Sequence, residues 1–164
     1  MDGSVFAPTL GLHLHVELRG GKLARVGIRR GPHAGPPSPE AVPFLARLAR
    51  HAQTGREDFS GLPLDLAGVS SFDREILEAL LREVPAGETV TYGELARIAG
   101  KDVGAARAVG AAMARNPVPI VVPCHRVLPA GNRIGNYSGE GGWDTKMKLL
   151  RIERARGVWQ QRTL

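Results

Sequence analysis

Residues 91–115 read TYGELARIAGKDVGAARAVGAAMAR, and their punctuation decides the fold. Thr91 with Glu94 three residues on is a capping box, so a helix opens at Tyr92 and closes at Gly100. Asp102 can cap a second helix over Ala105 to Arg115, and Asn116-Pro117 ends it. Two short helices joined by a tight glycine-containing turn describe a helix-turn-helix. The second helix is built of small residues, with Arg107 the long cation in its body. Such a helix can lie very close to another surface. Close packing on a neighbouring helix explains it, and so does a fit to DNA by shape and backbone contact. A base-reading helix would carry several Asn, Gln or Arg side chains at its N-terminal end, where this one has Arg107.

Upstream, Phe72, Ile76, Leu80 and Val84 stand four apart and predict a helix ended by Pro85-Ala86-Gly87. Gly68 to Ser71 marks the boundary between an N-terminal unit, residues 1–67, and a second unit, residues 68–164. In the first unit Leu10, Leu12, Leu14, Val16 and Leu18 alternate with polar residues or glycine, the period of a half-buried strand. Arg19-Gly20-Gly21-Lys22 turns the chain, and Ala24, Val26 and Ile28 return it as a hairpin. GPHAGPPSP, residues 31–39, is a loop. Ser38-Pro39 offers an N-cap and first-turn proline to a helix carrying Phe44, Leu45, Leu48 and Ala52, which Gly55 stops. Leu62, Leu64 and Leu66 read as one more strand. The expected fold class is therefore α+β, a small scaffold unit followed by a mostly helical one.

Composition narrows the function. With 43% apolar residues in 164 the chain holds enough for a core, which excludes disorder as its main state. The 21 glycines and 12 prolines make about a fifth of the chain, against roughly 12% in average usage, so its connections are many. Net charge is +6, and the surplus follows residue 84, where twelve basic residues face six acidic ones; residues 1–84 carry ten of each. A basic second half suits a polyanion or an ordinary solvated surface. One cysteine excludes an intrachain disulfide and a Cys-rich zinc site. His13, His15 and Glu17 offer three ligands where zinc wants four, and an exposed strand face explains them more simply, so no metal is expected. The N-terminus lacks the regions of a signal peptide, and the longest membrane-like run, Val118 to Val122, has five residues with a proline inside. The expectation is a soluble, cytoplasmic protein.

The chemistry concentrates in PVPIVVPCHRV, residues 117–127. A lone cysteine is commonly an inert core residue. Here Pro123 stiffens the backbone before Cys124, and His125-Arg126 follow, neighbours able to lower a thiol pKa. Adjacent residues in an extended chain point apart, so His125 would reach the thiol through a water. Cys124 is thus a candidate nucleophile of unspecified substrate. A DNA-binding protein in which Cys124 is only a pocket residue and a cysteine hydrolase remain alternatives.

From about Phe72 to Glu153 the chain resembles the O6-alkylguanine-DNA alkyltransferases, the methylated-DNA–protein-cysteine methyltransferases. The resemblance is carried by Thr91-Tyr92-Gly93, Ala105-Ala106-Arg107-Ala108-Val109-Gly110, Asn116-Pro117, the Pro-Cys-His-Arg segment and Gly135-Asn136-Tyr137-Ser138-Gly139, in that order. It implies a ribonuclease-H-like first domain, a winged helix-turn-helix second one, and single-turnover repair in which Cys124 accepts the alkyl group of O6-alkylguanine, O4-alkylthymine being a further candidate. His125 would be the base through a water, Glu153 would orient it, and Asn116 would hold the turn that carries the cysteine. Tyr92 would donate to guanine N3, Ser138 N–H to the guanine oxygen, and the carbonyls of Cys124 and Val127 would accept from the exocyclic amine, with Tyr137 in the same pocket. Arg107 would replace the flipped nucleotide in the stack, with Ala105, Ala106, Gly93, Met113 and Arg126 on the DNA face. The resemblance implies no cofactor, because the protein is the acceptor. The implied partner is double-stranded DNA containing alkylated guanine, met by a monomer with no obligate protein partner and no membrane, nucleoid-associated in a bacterium or nuclear in a eukaryote.

Departures are visible. The 137–153 segment looks about two residues longer than in the family, and Glu140 replaces a glycine, placing a carboxylate where it would repel phosphate. The 101–104 turn is one residue longer than in some relatives. The zinc ligands of some members are absent. Members that bind lesions without repair carry a bulky aromatic where this chain keeps Cys124.

Overall fold

The computed structural model describes residues 1–131 and 133–156. Three antiparallel strands, β1 (Gly3–Ala7), β2 (Leu12–Arg19) and β3 (Lys22–Arg29), pair in the order β1-β2-β3. Gly20 and Gly21, both at positive φ, make the hairpin turn expected there. Helix α1 (Val42–Thr54) packs on this sheet through Leu45, Leu48 and Ala52 and stops at Gly55, whose φ of 67° gives the left-handed C-cap. Then follow α2 (Ser71–Glu83), the two-residue strand β4 (Val90–Thr91), α3 (Tyr92–Ile98), α4 (Ala106–Ala114), β5 (Val127–Leu128) and α5 (Trp143–Ile152). The α+β expectation holds: sheet and α1 first, helices after.

Caps set the helical half. Ser70 accepts from Asp73 N–H at the start of α2, and both arms of the Thr91–Glu94 capping box are formed. Asp102 accepts from Gly104 N–H, starting a 3-10 turn, Val103–Ala105, that leads into α4. Arg115 at the end of α4 grips the buried Asp73 carboxylate at 2.8 and 3.0 Å, pinning the helix-turn-helix to α2. One contiguous core takes Leu14, Val26 and Leu48 from the first 67 residues and Ile76, Leu80, Val109 and Ile120 from the rest. Among the described residues no helix is long and apolar enough to cross a membrane.

Several local expectations are corrected. Strand β1 was missed, because its five residues show no clean alternation; pairing with β2 in the register Val5–Leu14 makes it a strand. The hairpin begins at Leu12, since Leu10 lies in a turn with Gly11 at φ 69°. Ser38 bonds Ala41 N–H in a turn, and α1 starts only at Val42 without a side-chain cap. Leu62–Leu66 forms a single bridge, Leu64 to Leu23, rather than a strand. Beyond that bridge the next inward donor of β3, Val26 N–H, goes to the Pro117 carbonyl, so no ladder can extend. His15 is covered, not exposed, with Nε2 bonded to the Gly31 carbonyl at 2.7 Å. No group of three potential metal ligands occurs among the described residues.

Candidate active site

The run before the cysteine is a strained turn. Ile120, fully buried, sits at φ 73°, a region that costs a β-branched residue of the order of 1–3 kcal/mol. Asn116 holds it there. Its amide donates to the Val122 carbonyl at 2.8 Å and its oxygen accepts Val118 N–H at 3.0 Å, while Val122 N–H bonds the Val118 carbonyl. The chain then enters a 3-10 turn, Cys124–Arg126, where an extended segment was expected.

Cys124 lies on the wall of a cavity of about 270 Å³ lined by Tyr92, Met113, Tyr137 and Ser138, together with Gly110, Ala114 and Asn136. That is close to the small end of ligand pockets, about 300 Å³. Gly110 lies beside the Tyr92 ring, where a Cβ would meet it at 3.8 Å, an ordinary van der Waals contact. Burial pushes the Cys124 thiol up, opposed by the Asn116 amide and the Lys146 ammonium. Burial also raises Tyr92, and raises Tyr137 well above the ordinary phenol, with the Cys124 charge adding to both, so both remain donors. The Tyr137 hydroxyl is buried with no hydrogen-bond partner among the described residues.

Behind the thiol stands a polar knot. His125 Nε2 lies 2.8 Å from Glu153 Oε2, and Arg126 spans the same carboxylate with Nε at 2.9 Å and Nη2 at 2.8 Å. Burial lowers the His125 pKa, and the adjacent Glu153 opposes that. Glu153 pays for burial but is held well below the usual carboxylate range by His125, His51 and Arg126. With Nε2–H given to Glu153, His125 Nδ1 carries a lone pair and has no partner among the described residues.

Arg126 therefore leaves the expected DNA face. It is 5% exposed, its Nη1 caps the Val84 carbonyl at 2.7 Å, and its charge is spent on Glu153. Val127 is buried and outside the cavity lining; its carbonyl accepts from Lys146 Nζ at 2.9 Å, and the Cys124 carbonyl accepts Val127 N–H. Each carbonyl keeps a second lone pair. Glu140 does not face the cavity: it pairs with Arg30 at 2.8 Å, tying the 137–142 loop to the end of β3. Arg107 is exposed and unpaired among the described residues, on the helix that carries Ala105 and Ala106 at its start, and Gly93 lies against Val103 beside it.

Two residues were missed. Lys146, fully buried, bonds the Val127 and Asn136 carbonyls and has its pKa lowered by burial to about 8. A signal existed, since Lys146 lies seven residues before Glu153, two helical turns along one face. His51 of α1 is the other, 2.7 Å from Glu153 Oε2. Its place beside Leu48 and Ala52 on the buried face of α1 was readable; its partner 102 residues away was not.

Fold and site define a helix-turn-helix protein with a buried cysteine backed by a His–Glu–Arg knot. Residues 71–155 match the profile of the 6-O-methylguanine DNA methyltransferase DNA-binding domain. The rat methylated-DNA–protein-cysteine methyltransferase is 54% identical over 83 residues, 51% of this chain and 39% of that protein. A DNA base-flipping protein of Thermus thermophilus is 40% identical over 141 residues, 82% of this chain and 91% of that one. The crystal structure of Mycobacterium tuberculosis OGT in complex with DNA superposes with a TM-score of 0.74 at 34% identity, covering 92% of this chain and 91% of that one. The chain belongs to the 6-O-methylguanine DNA methyltransferase family. Its match spans about two fifths of the length of the rodent relatives.

Proposed function

We propose that this protein repairs double-stranded DNA by moving the alkyl group of O6-alkylguanine irreversibly onto Cys124. The observation that carries this reading is a nucleophile on the wall of a small cavity beside α4, with a neutral base held behind it. An unperturbed thiol is only a few per cent thiolate at neutral pH, and burial lowers that fraction further, so a base must act during the reaction. His125 Nδ1 takes the thiol proton through a water. The sulfur attacks the alkyl carbon in line; the S–C bond forms as the C–O6 bond breaks, and the electron pair leaves with guanine. Tyr92 donates to N3 and Ser138 N–H to O6 as charge develops there. The free lone pairs of the Cys124 and Val127 carbonyls accept from the exocyclic amine. The product is a thioether, so each chain acts once and no cofactor takes part.

To reach the cavity the base must leave the stack through the minor groove. The small residues of α4 suit that narrow groove, and Arg107 fills the gap. Alkylated thymine at O4 presents the same leaving chemistry.

The identity to a DNA base-flipping protein over 82% of this chain favours a second reading, lesion binding without transfer. Intact mass after incubation with O6-methylguanine duplex separates them. Repair adds one methyl group per chain, located on Cys124 by peptide mapping. An unmodified chain that still binds lesion DNA makes it a sensor, and continued turnover makes it a hydrolase.

A further inference from the structure

Glu153 Oε2 accepts from two imidazoles, not one: His125 at 2.8 Å and His51 at 2.7 Å. His51 is fully buried, comes from α1, and has its tautomer dictated by its surroundings. Glu57 N–H donates to His51 Nδ1 at 3.2 Å, so Nδ1 holds the lone pair and Nε2 the proton. The ring is clamped against Phe59, centroids 5.3 Å apart, edge to face. Gly55, one turn on, bonds the His51 carbonyl at 2.7 Å, and any Cβ on it would run into the Ile152 carbonyl and Glu153 Cα. The end of α1 is thus fitted to the Glu153 backbone as well as to its carboxylate.

We propose that His51 is a positioning residue for the alkyl transfer: its Nε2–H fixes the Glu153 carboxylate in the orientation from which it aligns His125. This rests on the transfer reading above. A carboxylate has about four lone-pair sites. Arg126 fills one on each oxygen, His125 a second on Oε2, and His51 competes on that same oxygen. A carboxylate relieved of His51 binds an imidazolium more tightly and is free to tilt toward Arg126. Both changes slow proton transfer to His125 near neutral pH: the ring misaligns, and a smaller fraction of it is neutral and able to take the proton. The charged or titratable groups around His51 are Glu153, His125 and Arg126, with Glu57 meeting it through the backbone. The first 67 residues thereby contribute a side chain to the reactive centre.

The test uses the full chain and two readouts, methyl transfer from O6-methylguanine duplex and carboxamidomethylation of Cys124 by iodoacetamide, each across pH. In the second, the sulfur displaces iodide and the thiol proton passes to His125, so it reports the base without DNA. His51→Leu removes the donor at similar volume; His51→Gln retains an N–H at the Nε2 position. His51→Leu should slow both reactions at neutral pH by about ten- to a hundredfold, move their acid limb to higher pH, and leave duplex affinity unchanged. His51→Gln should recover most of the rate. Equal losses in Leu and Gln, or a Leu variant that reacts like wild type, overturn the proposal. Should His51→Leu not fold, long-range proton–nitrogen spectra of the wild-type protein decide: a slowly exchanging Nε2–H on His51 is required, and an Nδ1–H tautomer or rapid exchange refutes it. If wild type reacts with iodoacetamide in the expected pattern but gains no methyl group from DNA, the transfer reading fails while the His51–Glu153–His125 alignment stands.

Discussion

Asn116 and Ile120 are mechanically coupled: the Asn116 side chain bonds Val118 and Val122 on either side of Ile120, which is held at φ 73°. Asn116 also stands at the end of α4 and beside the Cys124 thiol, so one amide joins the helix-turn-helix, a strained turn and the nucleophile.

Replacing Asn116 by Ala should therefore destabilise the fold and slow transfer together. It orphans the buried Val118 N–H, at about 1–3 kcal/mol, and takes from the Val122 carbonyl one of its two donors, the other being Cys124 N–H. A urea titration should show a loss of about 2–4 kcal/mol, and the thiol should react more slowly in the variant that remains folded. A midpoint unchanged from wild type would show that the turn holds itself.

Arg126→Met should unfold or severely weaken the protein without a specific effect on DNA contact. It leaves the Glu153 carboxylate buried without its counter-charge, a loss of about 3–5 kcal/mol. The measurement is urea stability together with the salt slope of duplex affinity. A stable variant with a shallower slope would return Arg126 to the DNA face.

Acid should act in two windows. His125 is depressed in the folded state below its ordinary 6.5, so the unfolded chain takes a proton first and stability falls as pH drops below about 6.5. Glu153 is depressed from 4.5, so a second loss begins below that value. Transfer rate should hold at the top of the first window and fall only at lower pH, where the folded His125 itself takes a proton and cannot accept the one from the thiol. Urea midpoints between pH 8 and 4, compared with Glu153→Gln, check this; a flat profile across the first window would contradict a neutral buried His125.

Lys146 carries the opposite opportunity. Its pKa of about 8 in the fold against 10.5 unfolded means that the unfolded chain binds the extra proton between those values, so its contribution to stability rises with pH there. The stability difference between wild type and Lys146→Met should grow in favour of wild type from pH 8 to 10 by about 2 kcal/mol. A constant difference would mean that Lys146 stays charged with its carbonyl partners.

Arg107→Ala separates a wedge from a phosphate contact. Filling the gap of a flipped base offsets part of an unstacking cost of a few kcal/mol, so duplex repair should slow about ten- to a hundredfold, while reaction with the free alkylated base barely changes. Equal losses on both substrates would make Arg107 a pocket or fold residue. A duplex defect abolished at saturating DNA would make it a phosphate contact.

What the chain states locally was legible. The Thr91–Glu94 box, the Gly20-Gly21 turn, the Gly55 stop and the Asp102 cap are decided within four residues, by hydrogen bonds between near neighbours and by the φ that only glycine adopts freely. Cys124, His125, Asn116 and Glu153 were readable as a set because their motifs stand in a known order. Tertiary packing decided the rest. Strand β1 exists because β2 offers it a register; Leu62–Leu66 fails as a strand because Pro117 takes the neighbouring donor; Arg126 turns inward because a buried carboxylate needs its charge. His51 and Glu153 meet across 102 residues. Spacing encodes neighbours one or two turns apart, whereas which buried donor finds which buried acceptor depends on how whole elements dock, and the penalty for leaving either unpaired settles it.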